Sequence, residues 1–106
     1  MQVKWTRQAV NSLQAALDFC AAHSLRRQQL ARTAVFFKTQ LLEDYPLMGP
    51  IDPLLAQWQP GVGYRFVLAG FYKIIYRVQV EADTVWICHV LDSRSDPNRL
   101  STVAPT

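Results

Sequence analysis

The stretch "GYRFVLAGFYKIIYRVQVEADTVWICHVLDSRSDP", residues 63–97, decides the fold. It divides into three runs rich in β-branched and aromatic residues: "YRFVLA", "YKIIYRVQ" and "TVWICHVL". Turns fall at "GF" and at "EAD", and connections this short predict an antiparallel meander. In the middle run Tyr72, Ile74, Tyr76 and Val78 point one way, while Lys73, Ile75, Arg77 and Gln79 point the other. The first face is apolar and needs a cover. The second carries the cations Arg65, Lys73 and Arg77, and Arg94 follows the last strand. These cations are either a solvated sheet face or a site for something anionic.

The cover comes from the first half of the chain. "QVKW", residues 2–5, reads as a short opening strand, and Thr6 stands where a helix N-cap belongs. Val10, Leu13, Leu17 and Cys20 recur at helical spacing, so a helix runs to Ala22 or His23. Ser24 caps a second helix through "LRRQQLARTAVFFKTQLLED", with an apolar stripe of Leu30, Ala34, Phe37 and Leu41. Pro46 ends that segment, because the residue before proline is pushed out of the helical region. So short a link makes the two helices an antiparallel hairpin. Residues 46–62 are irregular and rich in proline and glycine, with one helical turn expected at "PLLAQW", residues 53–58. The expected fold is α+β: an N-terminal strand and a helical hairpin packed on a C-terminal three-stranded antiparallel meander.

With 106 residues the chain has room for one core, placed in residues 1–100, with 101–106 a frayed tail. Half the residues are hydrophobic and 18% are charged, which is globular composition, and the net charge of +3 favours an acidic partner or nucleic acid. No apolar run approaches a membrane span, and "MQVKWTRQ" lacks a signal-peptide core, so a cytoplasmic location is expected. Cys20 and Cys88 lack metal-ligand spacing and read as small buried hydrophobes; no metal or cofactor is expected. The glycines of "PGVGY" lack the lysine and helix of a phosphate loop.

The order of elements resembles the RelE/ParE superfamily, the small toxins of bacterial type II toxin–antitoxin pairs. The resemblance spans nearly the whole chain and is carried by "VKWTRQAVNSLQAALDF", "YPLMG" and the meander. Arg65 opening the first meander strand, "YKIIYRV", and the ending "VWICHVLDSRSDP" are similar to the ParE, or plasmid-stabilisation, branch. That branch implies a poison of DNA gyrase with no catalytic residues of its own. The RelE branch implies instead a ribosome-dependent mRNA endoribonuclease, in which cations stabilise charge on phosphorus and acid–base residues move protons. On that pattern Arg65, Lys73 and Arg94 fall at basic catalytic positions. His89 alternates with Ile87 and Leu91 and reads first as a partly buried structural histidine; as the one histidine of the meander it is the base to test if cleavage occurs. Val67 and Leu100 stand where the pattern needs a lysine and a tyrosine, and Asp92 where "VLH" has its histidine. The gaps at Val67 and Leu100 favour the ParE branch, with Arg65, Lys73, Arg77 and Arg94 as target-binding residues, whereas Asp92 departs from the ParE motif as well.

The resemblance also implies a cognate acidic antitoxin whose C-terminal segment folds onto the toxin, in a complex that can be of higher order. Arg26, Arg27 and Arg32 make the start of the second helix basic, and Phe36 lies off its apolar stripe; these are the candidate antitoxin contacts. A non-toxic adaptor for protein or nucleic acid on the same fold is the third reading.

Overall fold

The computed structural model describes residues 1–93. In chain order it contains β1 (Gln2–Trp5), α1 (Arg7–His23), α2 (Leu25–Leu41), α3 (Pro53–Trp58), β2 (Arg65–Ala69), β3 (Tyr72–Gln79) and β4 (Thr84–Asp92). The α+β architecture is as expected. The helix ends are set by hydroxyl caps: Thr6 accepts from the Ala9 N–H at 3.1 Å, and Ser24 accepts from the Arg27 N–H at 3.3 Å. Ser24 also closes α1, its own N–H donating to the Cys20 carbonyl at 2.8 Å. One residue therefore ends one helix and starts the next, which forces the hairpin. Asp52 caps α3 in the same way, with Pro53 in its first turn.

The strands form a single four-stranded sheet in the order β1-β4-β3-β2. β2, β3 and β4 are the antiparallel meander, and β1 pairs in parallel with β4, placing Lys4 beside Trp86 and Trp5 beside Ile87. The two-residue turn at Gly70–Phe71 sets Ala69 against Tyr72, and Gly70 takes the positive φ of 59° that such a turn requires.

The face bearing Ile74 and Tyr76 is covered by the helical hairpin. Ala9, Leu13 and Leu17 of α1 pack there with Val35, Leu42, Val67, Val85, Ile87 and Val90. Leu13 and Leu17 of α1 are buried as the spacing predicts, and the departures lie in the first turn of α1 and in α2. In the first turn of α1 it is Ala9 that is buried, and Val10 is exposed. On the expected α2 stripe Ala34 packs inward and Leu41 is half-buried, but Leu30 and Phe37 turn away from the core, 60% and 62% exposed. The inward residues are Ala31, Ala34, Val35 and Thr39, followed by Leu42 just past the helix end. These are mostly small, and small residues let α2 lie close to α1 and the sheet. The helix also stops at Leu41, before the 42–44 turn that was expected to continue it.

The second sheet face is not open throughout. α3 and the chain leading into β2 cover part of it, burying Leu55, Tyr64, Ile75, Cys88 and Leu91 together. A bulge in β4 brings this about. Tyr76 pairs with Ile87 but Ile75 pairs with His89, so Cys88 is an extra residue. His89 thus shares the α3 side with Leu91, whereas Ile87 belongs to the hairpin core, and the simple alternation Ile87–His89–Leu91 is broken.

Candidate functional site

The cations expected on one face are divided between two. Arg65 is the register partner of Tyr76, and its strand neighbours Val67 and Ala69 lie in the hairpin core. It therefore sits at the rim of the helix-covered face, away from Lys73. Its guanidinium donates to the Gly49 carbonyl at 2.8 Å, while the Gly49 N–H donates to the Tyr76 hydroxyl at 3.0 Å. Burial pushes the Tyr76 phenol above its ordinary pKa of 10.0, and the Gly49 hydrogen bond and the Arg65 charge oppose that rise. Arg65, Tyr76 and Gly49 form a clasp. It fixes the "YPLMG" loop to the sheet.

Lys73 is on the opposite face and is also engaged. Its Nζ lies 2.5 Å from Oδ2 of Asp52, a fully buried carboxylate, and 4.4 Å from the centroid of the Phe66 ring. The other carboxylate oxygen of Asp52 accepts the Leu55 N–H at 2.9 Å, and the Asp52 N–H donates to the Tyr64 carbonyl at 2.8 Å. Asp52 is thus both the cap of α3 and the anchor of Lys73. The sequence signalled the helical turn through Pro53, but neither the Asp52 cap nor its Lys73 partner.

His89 lies diagonally across the β3–β4 pair from Lys73, since its register partner is Ile75. Its Nδ1 is buried and has no hydrogen-bond partner among the described residues. Desolvation by burial lowers the imidazole pKa below its ordinary 6.5, so the ring is neutral at pH 7. Val67 is buried in the core, as a valine at that position permits. Arg94 and Leu100 lie outside the described residues, and Asp92 is the last residue of β4, opposite Tyr72.

Arg77 belongs to a different arrangement. It pairs with Trp86 across β3–β4, and Trp86 pairs with Lys4 across β4–β1. Three neighbouring strands therefore carry a row, cation–indole–cation, on the α3 side of the sheet. Lys4 Nζ is 5.8 Å from the centroid of the Trp86 ring, and the indole Nε1–H donates to the Gln79 side chain at 2.9 Å, fixing the ring's orientation. Sequence reasoning missed Lys4 and Trp86, because no local signal tells that β1 joins the sheet next to β4.

On α2, Arg26, Arg27 and Arg32 are all exposed. Phe36 is half-exposed, and its ring packs on Trp5 with centroids 5.7 Å apart. Part of its surface is thus spent holding β1 to α2. Cys88 is buried as expected, but Cys20 is only half-buried and its Sγ lies 2.7 Å from the Tyr72 hydroxyl. No helix among the described residues is long and apolar enough to cross a membrane.

No curated protein matches the chain. Residues 3–97 match the family described as the ParE toxin of type II toxin–antitoxin system, parDE. That span takes in all but the first residue of β1, the hairpin, the clasped loop and the whole meander, so the chain belongs to the ParE toxin family of type II toxin–antitoxin systems.

Proposed function

We propose that this toxin acts by binding and inhibiting DNA gyrase, that it serves plasmid stabilisation, and that an acidic cognate antitoxin neutralises it. The observation that carries this reading over an mRNA endoribonuclease is the Lys73–Asp52 ion pair. A ribonuclease of the RelE kind needs cations free to meet a phosphate carrying extra charge in the transition state. Lys73 is bound by a buried carboxylate, and Arg65 is turned to the other face and bound to Gly49. Two of the four cations thus support the loop and α3. Arg77, grouped with Lys4 and Trp86, is assigned to target binding, and Arg94 is assigned with it.

A second reading has one observation in its favour. His89 is neutral at pH 7, has an unpartnered Nδ1, and is diagonal to Lys73. A base beside a cation is the start of an acid–base site.

The deciding experiment incubates the purified chain with gyrase and supercoiled plasmid and, in parallel, with translating ribosomes. Gyrase-dependent DNA breaks with intact mRNA are expected. Cut mRNA with undamaged plasmid would overturn the proposal and promote His89 to a catalytic residue.

A further inference from the structure

The loop of residues 45–51, between α2 and the cap of α3, has its backbone fastened from end to end. The Met48 N–H donates to the Tyr45 carbonyl at 3.1 Å, closing a turn with Pro46 in its second position. Gly49 is buried in the clasp with Arg65 and Tyr76. The Pro50 carbonyl accepts from the Phe66 N–H at 3.1 Å, and Ile51 bridges to Arg65, so the loop runs onto the edge of β2. Its large side chains nevertheless face solvent: Tyr45, Leu47, Met48 and Ile51 are 43–63% exposed. A loop that fixes its backbone and turns four apolar side chains outward is built to meet another surface.

We infer that this loop is a preformed contact for the target protein, an apolar cleft of which receives Tyr45, Leu47, Met48 and Ile51. The inference rests on the reading that gyrase is that target. Fastening the loop beforehand removes the ordering cost that a flexible loop pays on association, so its apolar anchors bind more effectively. The charge selects the occupant. Residues 43–64 contain no lysine, arginine or histidine, and two exposed acids, Glu43 and Asp44, lead into the loop. A polynucleotide needs cations against its phosphates, and this segment supplies none. An acidic antitoxin meets like charge at Glu43 and Asp44, whereas α2 offers it arginines. A second copy on a two-fold axis would bring the acid-flanked patch against itself. The fitting occupant is a protein surface with an apolar centre and a neutral or basic rim.

The test measures the toxin concentration that half-inhibits supercoiling by purified gyrase. Leu47→Ser and Tyr45→Ser are the loop variants, and Val80→Ser is the control, at least as exposed but in the β3–β4 turn. The loop variants are expected to require roughly 10-fold more protein or more, with melting temperature unchanged. That loss should persist at high salt, because salt screens charges and not apolar contacts. Met48 provides a readout on the unsubstituted chain: bound gyrase should slow its oxidation by peroxide severalfold. Loop variants that inhibit as the wild type does, or Met48 oxidised as fast in the complex as alone, would overturn the loop contact and leave the gyrase reading standing. A wild-type dimer that Leu47→Ser makes monomeric would assign the patch to a second copy and overturn it likewise. No inhibition by the unsubstituted chain would overturn both readings.

Discussion

Lys73 and Asp52 meet at 2.5 Å across the second face of the sheet, joining the middle of the meander to the first residue of the α3 cap. Asp52 is wholly buried, so the pair is a structural commitment: remove the ammonium and a carboxylate is left without its counter-charge. Lys73→Ala is expected to lower the unfolding free energy by about 3 kcal/mol, the low end for breaking a buried pair, since Lys73 keeps 20% exposure. Asp52→Asn with Lys73→Met removes both charges while the amide oxygen keeps the Leu55 N–H capped, and is expected to recover most of that loss. Urea denaturation of the single and double variants measures the coupling. On the proposed gyrase reading, a double variant that folds and inhibits gyrase as the wild type does would show that Lys73 has no chemical part in the activity.

Gly49 is enclosed by the clasp. A Cβ at this position would lie 2.1 Å from the Phe66 carbonyl oxygen and 2.9 Å from the Tyr76 hydroxyl, and neither can move without breaking the sheet edge or the hydrogen bond. Gly49→Ala should destabilise the protein by about 2 kcal/mol or more. Tyr76→Phe leaves the Gly49 N–H buried without its acceptor and is expected to cost about 1–3 kcal/mol. Thermal melts rank the two; a Gly49→Ala protein as stable as the wild type would refute the close approach.

The strand and turn pattern made the meander legible, and the hydroxyl caps at Thr6 and Ser24 made the hairpin legible. The phase of α2 was not. Val35, Phe36 and Phe37 are consecutive, so the helix is apolar over much of its circumference, and several stripes satisfy the spacing equally well. Packing chose the small-residue side. Arg65 is another case. A two-residue turn at Gly70–Phe71 sets residue 65 opposite 76, so the register already placed Arg65 on the face of Tyr76, opposite to Lys73. That information was present in the strand spacing. The Asp52 partner of Lys73 was not, because it depends on how the 46–64 segment folds back, and no periodicity encodes that.

His89 makes stability depend on pH in a determined direction. Its folded-state pKa lies below 6.5, so between that value and 6.5 the unfolded chain binds more protons than the folded one. The contribution is complete above about 6.5 and is lost as pH falls toward and through the folded pKa. Denaturant midpoints at pH 7.5 and at pH 5 should therefore differ, with the lower pH less stable. His89→Phe, which fills the site with a ring that takes no proton, is expected to flatten that part of the profile. An unchanged profile in the variant would assign the dependence to other groups.

The row Lys4–Trp86–Arg77 is the part of the sheet surface on which target binding can be separated from folding. Arg65 and Lys73 hold the loop and α3, so substituting either confounds activity with stability. Lys4 is exposed, and its Nζ lies over the Trp86 ring, 5.8 Å from the centroid. Lys4→Gln should therefore shift the melting temperature little, because an exposed cation–π contact contributes only about 0.5–1 kcal/mol. Arg77→Gln keeps length and hydrogen-bonding capacity while removing charge. If the row meets an acidic surface of gyrase, each variant should weaken inhibition, and raising the salt should weaken the wild type more than the double variant Lys4→Gln with Arg77→Gln. The measurement is the toxin concentration that half-inhibits supercoiling, at low and high salt, for all four proteins. A double variant that inhibits as well as the wild type at both salts would remove the row from the target site and leave the basic face of α2 as the place to look next.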